Sequence, residues 1–199
     1  MHDSRKLEVK SRVNILVYEV IYRIVRLFNV PISRVFGSHD ELQEIIMSVA
    51  GPPGKALDLG CGDARDAIFL AKNGFNVTAV DFSPTAIKLA RKNVQKAGVQ
   101  VAVVQDDLTN LQHLSGTFDL VIDIGAFNDL SREARDLYMD NVLPLTRMGS
   151  RYFLMCFEKK LELGEIDRRF GGYFNVESLE DVTERSSLPG INLYTMVKM

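Results

Sequence analysis

The chain has 199 residues and a formal net charge of −2 at pH 7, which argues against a nucleic-acid-binding surface spread over the whole domain, so no nucleic-acid partner is expected. Apolar residues make up 46% and charged residues 25%, as in ordinary globular proteins, which argues against disordered, collagen-like and disulfide-scaffold classes. The two cysteines, Cys61 and Cys156, are predicted at the ends of different buried strands. This indicates free thiols in a reducing, cytoplasmic compartment.

The segment from Ser11 to Phe28 carries apolar residues at helical spacing, with Glu19, Arg23 and Arg26 on the opposite side. Its periodicity predicts an amphipathic helix, and its charges argue against a transmembrane span. Two interpretations stay open: a lid that packs on its own domain or on a second copy of the chain, or a peripheral contact with an acidic membrane. The chain could accordingly be a monomer or a homodimer.

A second helix is predicted from Ser38 to about Val49, because Ser38 and Glu41 form a capping box. His39 lies in its first turn and is the candidate general base, although a solvated surface role is the alternative. Residues 1–50 are therefore predicted to form a helical extension, and residues 51–199 one compact domain.

The stretch from Ala56 to Arg65 predicts a buried strand, a tight turn and a helix start. Asp58 is the one acid in the strand, and Gly60 and Gly62 form the turn. Glycines allow backbone dihedrals that side chains exclude and leave room for a ligand, while the helix N-terminus supplies unpaired N–H groups. The turn is therefore a candidate ligand cradle.

Strands and helices then alternate, which predicts a parallel sheet with helices on both faces. The expected strands are Asn76–Val80, Val99–Val104, Phe118–Ile124 and Arg151–Phe157, and the expected helices are Ala64–Asn73, Pro84–Ala97, Arg132–Leu145 and Leu161–Phe170. Two further strands, Tyr173–Val182 and Ile191–Lys198, are joined by a link too short for a crossover and must be antiparallel neighbours. The fold class is α/β: a three-layer sandwich around a seven-stranded, mostly parallel sheet with an antiparallel C-terminal strand.

An acid follows the second strand at Asp81, 19 residues beyond Gly62 (81 − 62 = 19). This arrangement suits an adenosine whose two ribose hydroxyls bond to the carboxylate. Arg65 stands where a dinucleotide fingerprint has its third glycine, and Asp58 would repel a diphosphate but attract a cation. The pattern therefore favours an adenosine that carries positive charge, such as one with a sulfonium and an ammonium.

Four segments in order resemble the motifs of class I S-adenosylmethionine-dependent methyltransferases: L-D-L-G-C-G-D-A-R, A-V-D-F-S, V-V-Q-D-D-L and F-D-L-V-I-D-I-G-A-F. The run from Gly60 to Asp81 is similar to small-molecule methyltransferases, including those of the tellurite-resistance and thiopurine types. The resemblance implies a Rossmann-like fold and in-line transfer of a methyl group to a small-molecule acceptor, with S-adenosylhomocysteine as the product.

The resemblance also implies the cofactor-binding residues. It places Asp81 on the ribose, Phe82 on the adenine, and Asp107, in preference to Asp106, on the adenine amino group. The full set is Asp58, Gly60, Cys61, Gly62, Arg65, Asp81, Phe82, Asp106, Asp107, Leu108, Asp123, Ile124 and Gly125, the last three lining the sulfonium.

Acceptor contacts are expected from the N-terminal helices and from the loops after the fourth and fifth strands, at Phe127, Asn128, Cys156, Phe157 and Glu158. The Asp-Asn pair that holds magnesium in catechol-type enzymes is missing, so no metal is predicted. Two alternatives to a methyltransferase are an NAD(P)-dependent oxidoreductase and a non-catalytic binding protein that keeps the cofactor fold.

Overall fold

The computed structural model describes residues 40–157, 164–181 and 191–199 and the single positions 20 and 161, the side chains at 40, 41 and 177–181 excepted. In these ranges the helices are α1 (Asp40–Val49), α2 (Arg65–Lys72), α3 (Pro84–Ala97), α4 (Ala126–Asp129), α5 (Arg132–Val142) and α6 (Glu165–Phe170). The strands are β1 (Lys55–Leu59), β2 (Asn76–Asp81), β3 (Val101–Gln105), β4 (Phe118–Ile124), β5 (Thr146–Phe157), β6 (Phe174–Asp181) and β7 (Ile191–Lys198).

All seven strands belong to one sheet with the order β3-β2-β1-β4-β5-β7-β6. The strands from β1 to β5 pair in parallel, and β7 runs antiparallel to both β5 and β6. The predicted α/β fold is therefore confirmed. The strand order reverses between β1 and β4, so the carboxyl ends of β1, β2 and β4 meet where open α/β sheets bind ligands.

Each face of the sheet carries its own core. Side chains on alternate positions of β1 point to opposite faces, with Ala56 on the side of α1, α2 and α3 and Leu57 on the side of α5 and α6. The second face holds an aromatic cluster, in which neighbouring rings pack edge to face or tilted: Phe127, Tyr138, Tyr152, Phe170 and Phe174.

Local signals at both ends of α3 account for its bounds. The Ser83 hydroxyl accepts a hydrogen bond from the Ala86 N–H at 3.0 Å, and Pro84 occupies the first helical position. Gly98 ends the helix in the left-handed conformation, with φ of 68°. The bounds predicted for this helix are therefore confirmed.

Three predicted bounds differ from the structure by three residues or more. The helix expected to reach Leu145 ends at Val142 and gives way to a 3-10 turn that contains Pro144, which has no N–H to donate. Strand β5 begins at Thr146, five residues before the expected start, because this residue pairs with Phe118 of β4. Helix α6 covers Glu165–Phe170 only, and the four-residue helix α4 was not predicted.

The predicted helix from Ser11 to Phe28 lies outside the described residues except for Val20, and so do Ser38 and His39. Helix α1 contributes the fully buried Ile46 to the core, and the Gln43 side chain of α1 donates a 2.8 Å hydrogen bond to Asp66 of α2. Of the helices described, none is both long and apolar enough to cross a membrane.

Candidate cofactor-binding site

The glycine turn is pinned to the end of β2 by its backbone. The N–H groups of Gly60 and Cys61 both donate to the carbonyl of Val80, at 2.8 and 2.9 Å. Gly60 and Gly62 have φ of 73° and 54°, in the left-handed region where side chains are unfavourable. Ala64, the residue before α2, shares this conformation with φ of 62°. The turn therefore depends on backbone geometry that its glycines permit.

Asp81 joins the end of β2 to the glycine turn. One carboxylate oxygen accepts from the Gly62 N–H at 2.9 Å, and the other accepts from the Ser83 N–H at 2.8 Å. The side chain is buried. The structure thus places Asp81 against the glycine turn that precedes it by 19 residues. The carboxylate borders the turn and also holds its backbone in place.

Asp58 is a buried carboxyl group beneath the turn. Its Oδ2 atom has no hydrogen-bond partner among the described residues. Burial, the negative charge of Asp66, and then Asp123 and Asp81 raise its pKa well above the usual value, while a hydrogen bond from the Ala67 N–H opposes them. A cationic group at this carboxyl would reverse that effect, because an adjacent positive charge favours the ionised form.

The two acids after β3 differ in their surroundings. Asp106 is buried, and its carboxylate accepts from the N–H groups of Gln112, His113 and Asp107 at 2.8 to 3.0 Å. Burial opposes ionisation, but these hydrogen bonds outweigh it and lower the pKa of Asp106. Asp107 is exposed, and its Oδ1 accepts from Thr109. Asp107 is thus the carboxylate that faces solvent, while Asp106 holds the loop that follows β3 in place.

Three other predicted cofactor residues lie around the turn. Phe82 is half-buried, and its carbonyl accepts from the Gln105 amide at 3.2 Å. The Leu108 side chain belongs to the core. Cys61 is 8% exposed, and burial, with the charge of Asp58, raises the pKa of its thiol well above the usual value. Cys61 is therefore a packing residue rather than a reactive thiolate.

The Asp123 side chain takes part in hydrogen bonds that hold α4. It is fully buried on the α5 side of the sheet, where it accepts from the N–H groups of Ala126 and Phe127 and from the Tyr138 hydroxyl at 2.7 Å. Burial raises the pKa of Asp123 to about 6, although these hydrogen bonds oppose the shift. The carboxylate therefore supports α4, and a contact of Asp123 with the sulfonium stays a prediction. Ile124 and Gly125, which follow it, are half-buried.

The residues expected to contact the acceptor differ in their exposure. The side chains of Phe127 and Cys156 are fully buried in the core. The Asn128 side chain ties α4 to the end of β5, since it donates to Gly125 and accepts from the Phe157 N–H at 2.9 Å. Phe157 remains half-buried. Glu158 and the candidate base His39 lie outside the described residues.

Sequence reasoning missed the residues that hold α4. The Arg135 guanidinium donates to the carbonyls of Phe127 and Asn128 and to Glu165 of α6. Arg135 is 6% exposed and lies three residues before the buried Tyr138 on the same helix. A charged residue on the apolar side of a helix was the available signal, because such a residue requires a buried partner.

The arrangement can hold an adenosine with a positively charged substituent. Asp81 lies beside the turn, Asp107 is exposed at the end of β3, and Asp58 supplies nearby an oxygen that no described residue contacts by a hydrogen bond. The described residues contain no cluster of side chains suited to a metal ion.

Comparisons with known proteins agree with this geometry. A sequence model of the family described as "Methyltransferase domain" matches residues 56–149. An uncharacterised methyltransferase of Schizosaccharomyces pombe is 32% identical over 103 residues, which are 52% of this chain and 71% of that protein. The 2-heptyl-1-hydroxyquinolin-4(1H)-one methyltransferase of Mycobacteroides abscessus is 31% identical over 115 residues, 57% of this chain. The chain spans about half (51%) of the length of this second relative.

The solved structure of a TehB-like S-adenosylmethionine-dependent methyltransferase from Corynebacterium glutamicum superposes with a TM-score of 0.72 at 19% identity, covering 92% of this chain and 99% of that one. The sheet order and the glycine turn define a Rossmann-like fold of the methyltransferase class. The chain belongs to the class I S-adenosylmethionine-dependent methyltransferase family. These relatives give no support to the alternative of an oxidoreductase.

Proposed function

We propose that this protein transfers a methyl group from S-adenosylmethionine to a small-molecule acceptor and releases S-adenosylhomocysteine. The observation that carries the proposal is the buried Asp58 carboxyl beside a glycine turn bordered by Asp81; its Oδ2 atom has no hydrogen-bond partner within the described part of the chain. An unsatisfied buried acid is costly, and a cationic ligand offsets that cost. The methionine part of the donor carries such a cation in its ammonium group.

The donor contacts follow from the residues at the carboxyl edge of the sheet. Gly60 and Gly62 allow close approach of the ligand, Asp81 accepts from the ribose hydroxyls, and Asp58 accepts from the ammonium. Phe82, Asp107 and the main chain of Leu108 surround the adenine. Arg65 borders the methionine part, and the main chain of Asp123 to Gly125 forms the wall near the sulfonium. These assignments are supported by the family's motifs and by the position of each residue at this edge.

The chemical step is a displacement in which the acceptor forms a bond to the methyl carbon as the bond from sulfur breaks, leaving a neutral thioether. The donor is already activated, so the protein's task is to align the two reactants and exclude water. A general base is required only where the acceptor atom carries a proton that must leave. A small-molecule acceptor is supported by the Mycobacteroides abscessus relative, which is named as a methyltransferase of 2-heptyl-1-hydroxyquinolin-4(1H)-one.

The segment before β1 covers the acceptor side in this proposal, with the predicted helix from Ser11 to Phe28 as its lid. The proposed compartment is the cytoplasm, since both described cysteines are free thiols. Liposome co-sedimentation of the full and N-terminally truncated chains tests the alternative membrane contact, which equal partitioning would exclude.

Titration calorimetry with S-adenosylhomocysteine tests the donor half of the proposal. We expect the wild type to bind it more tightly than NAD, and Asp81→Ala to weaken binding by about tenfold or more, since each charge-assisted bond contributes about 1.5 to 3 kcal/mol. The matched control is Asp140→Ala, an exposed acid on α5, which leaves affinity unchanged. Absence of wild-type binding at millimolar ligand would overturn the proposal.

A screen with labelled S-adenosylmethionine tests the acceptor half. Thiols, phenols, amines and metalloid anions are offered in turn, and the transferred label is counted. Label on a small molecule from any class supports the proposal and identifies the acceptor atom. Donor binding without transfer to any of them would favour the non-catalytic alternative.

A further inference from the structure

Helix α4 forms one wall of the glycine turn. A Cβ atom added to Gly60 would lie 2.6 Å from the Ala126 Cβ, so the first residue of α4 is in direct contact with the turn. The helix follows β4 at the carboxyl edge of the sheet, after Gly125 with φ of 90°. Any shift of α4 would therefore change the shape of the glycine turn, where the donor is proposed to bind.

A four-residue helix does not hold its own position, because one turn is too short to repay the entropy of nucleation. Side chains from other elements do so here. Asp123 accepts from the Ala126 N–H at 2.8 Å and the Phe127 N–H at 3.1 Å, while Arg135 holds the carbonyls at the other end. Asp123 is thus the anchor for the end of α4 that touches Gly60.

The anchor is itself held from beneath by two buried tyrosines. The Tyr138 hydroxyl donates to Asp123 Oδ2 at 2.7 Å, and the Tyr152 hydroxyl bonds in turn to the Tyr138 hydroxyl. All three side chains are fully buried. A solvent-exposed Ser or Asp at the N-cap would accept from the same two amides without the free-energy cost of burying a carboxylate. The buried position of Asp123 beside the glycine turn therefore indicates a role beyond capping α4.

We infer that Asp123 is a positioning residue for methyl transfer: acting through α4, its carboxylate sets where Gly125 and Ala126 stand against the glycine turn. The inference rests on the proposed function. The titratable groups that interact with Asp123 from its own side of the sheet are Tyr138 of α5 and Tyr152 and Cys156 of β5, while the Asp58 carboxyl of β1 lies on the opposite face and interacts with Asp123 only through its charge. Burial raises the pKa of both tyrosines and of the cysteine, so these three groups stay neutral over the range in which Asp123 titrates.

The test measures two quantities in the full chain: amide hydrogen exchange in 124–130, corrected for its intrinsic pH dependence, and S-adenosylhomocysteine affinity by calorimetry from pH 5 to 8. Asp123→Asn should raise exchange about tenfold or more and weaken affinity by about five- to twentyfold. Tyr138→Phe should have a smaller effect in the same direction. Tyr152→Phe, which removes an equally buried hydroxyl one bond further away, is the control and should stay within about twofold.

The pH profile separates positioning from general destabilisation. Wild-type affinity should rise with pH through a midpoint near 6, because the ionised carboxylate accepts more strongly from the α4 amides. This midpoint should vanish in Asp123→Asn and persist in Asp58→Asn.

Equal exchange, affinity and pH profile in Asp123→Asn and the wild type would overturn the inference. If Asp123→Asn does not fold, Tyr138→Phe against Tyr152→Phe decides, and equality of these two overturns it. Failure of the wild type to bind would instead overturn the proposed function, while exchange in 124–130 still reports on Asp123.

Discussion

Aspartates around the glycine turn show how surroundings divide one residue type into different roles. The pKa of Asp106 is lowered, because backbone amides outweigh its burial, whereas burial raises the pKa of Asp58 and Asp123. Asp81 accepts from the Gly62 N–H of the turn with one oxygen and from the Ser83 N–H with the other. Of these four acids, Asp58 alone has an oxygen without a partner among the described residues, which makes it the one that a cationic ligand would stabilise most.

Replacement of Asp58 by Asn should stabilise the unliganded protein and weaken donor binding. The neutral amide removes a buried charge that lies near other acids, and each unit by which the pKa is raised corresponds to about 1.4 kcal/mol. We expect a gain of about 1 kcal/mol or more in the free energy of unfolding at pH 7.5, from urea denaturation, with S-adenosylhomocysteine affinity reduced about tenfold.

The gain should depend on pH in a defined direction. Because the folded-state pKa of Asp58 exceeds its unfolded value of about 3.9, its carboxyl favours the folded state below about pH 4, and this contribution is lost as pH rises through the folded pKa. The advantage of Asp58→Asn should therefore grow with pH. A gain that is constant from pH 4 to 8 would show that the Asp58 charge has no part in it.

At the scale of elements, the glycine turn and α4 act as one unit. The turn is fixed to β2 through Val80, and α4 is fixed to β4 through Asp123 and to β5 through Asn128. Their contact is the approach of Ala126 to Gly60. The proposed donor site thus depends on elements that are far apart in the sequence.

Gly60→Ala and Gly98→Ala separate this contact from backbone strain. Both glycines have φ near 70°, where alanine costs about 1 to 2 kcal/mol, but a Cβ at Gly98 meets nothing within 4 Å. The overlap with Ala126 should add about 1 to 3 kcal/mol for Gly60→Ala and abolish donor binding. Thermal unfolding and calorimetry measure the two effects. Equal destabilisation by both substitutions would contradict the proposed contact.

At the scale of the whole molecule, a buried charge network ties α4, α5 and α6 to the α5 side of the sheet. Arg135 and Glu165 form an ion pair at 2.8 Å with side chains 7% and 3% exposed, and Arg169 donates to the same glutamate at 2.9 Å. Arg169 also pairs with the exposed Asp136. The network connects α4, beside the glycine turn, to Asp136 on the surface of the domain.

Removal of the buried acid should therefore destabilise the whole domain. Glu165→Gln leaves Arg135 buried without its counter-charge, and we expect a loss of about 3 kcal/mol in the free energy of unfolding. Asp136→Asn is the matched control, because an exposed pair contributes less than about 1 kcal/mol. Guanidinium denaturation monitored by circular dichroism gives both values. Comparable losses in the two variants would refute a special role for the buried pair.

The sequence by itself determined the fold, the glycine turn and the acids at the strand ends. These features depend on local rules: alternation of strands and helices, the cap at Ser83, and the spacing from Gly62 to Asp81. Short-range backbone preferences and hydrophobic periodicity act along a few neighbouring residues, so they can be read without knowledge of the tertiary contacts.

Only the tertiary structure decided which way the side chains of the remaining candidate site residues face. Asp123, Phe127 and Asn128 stand at the predicted edge of the sheet, yet their side chains hold α4 or fill the core. Arg135 and Glu165 meet across 30 residues of sequence. Burial and pairing of this kind depend on contacts between distant segments, and no local pattern specifies them.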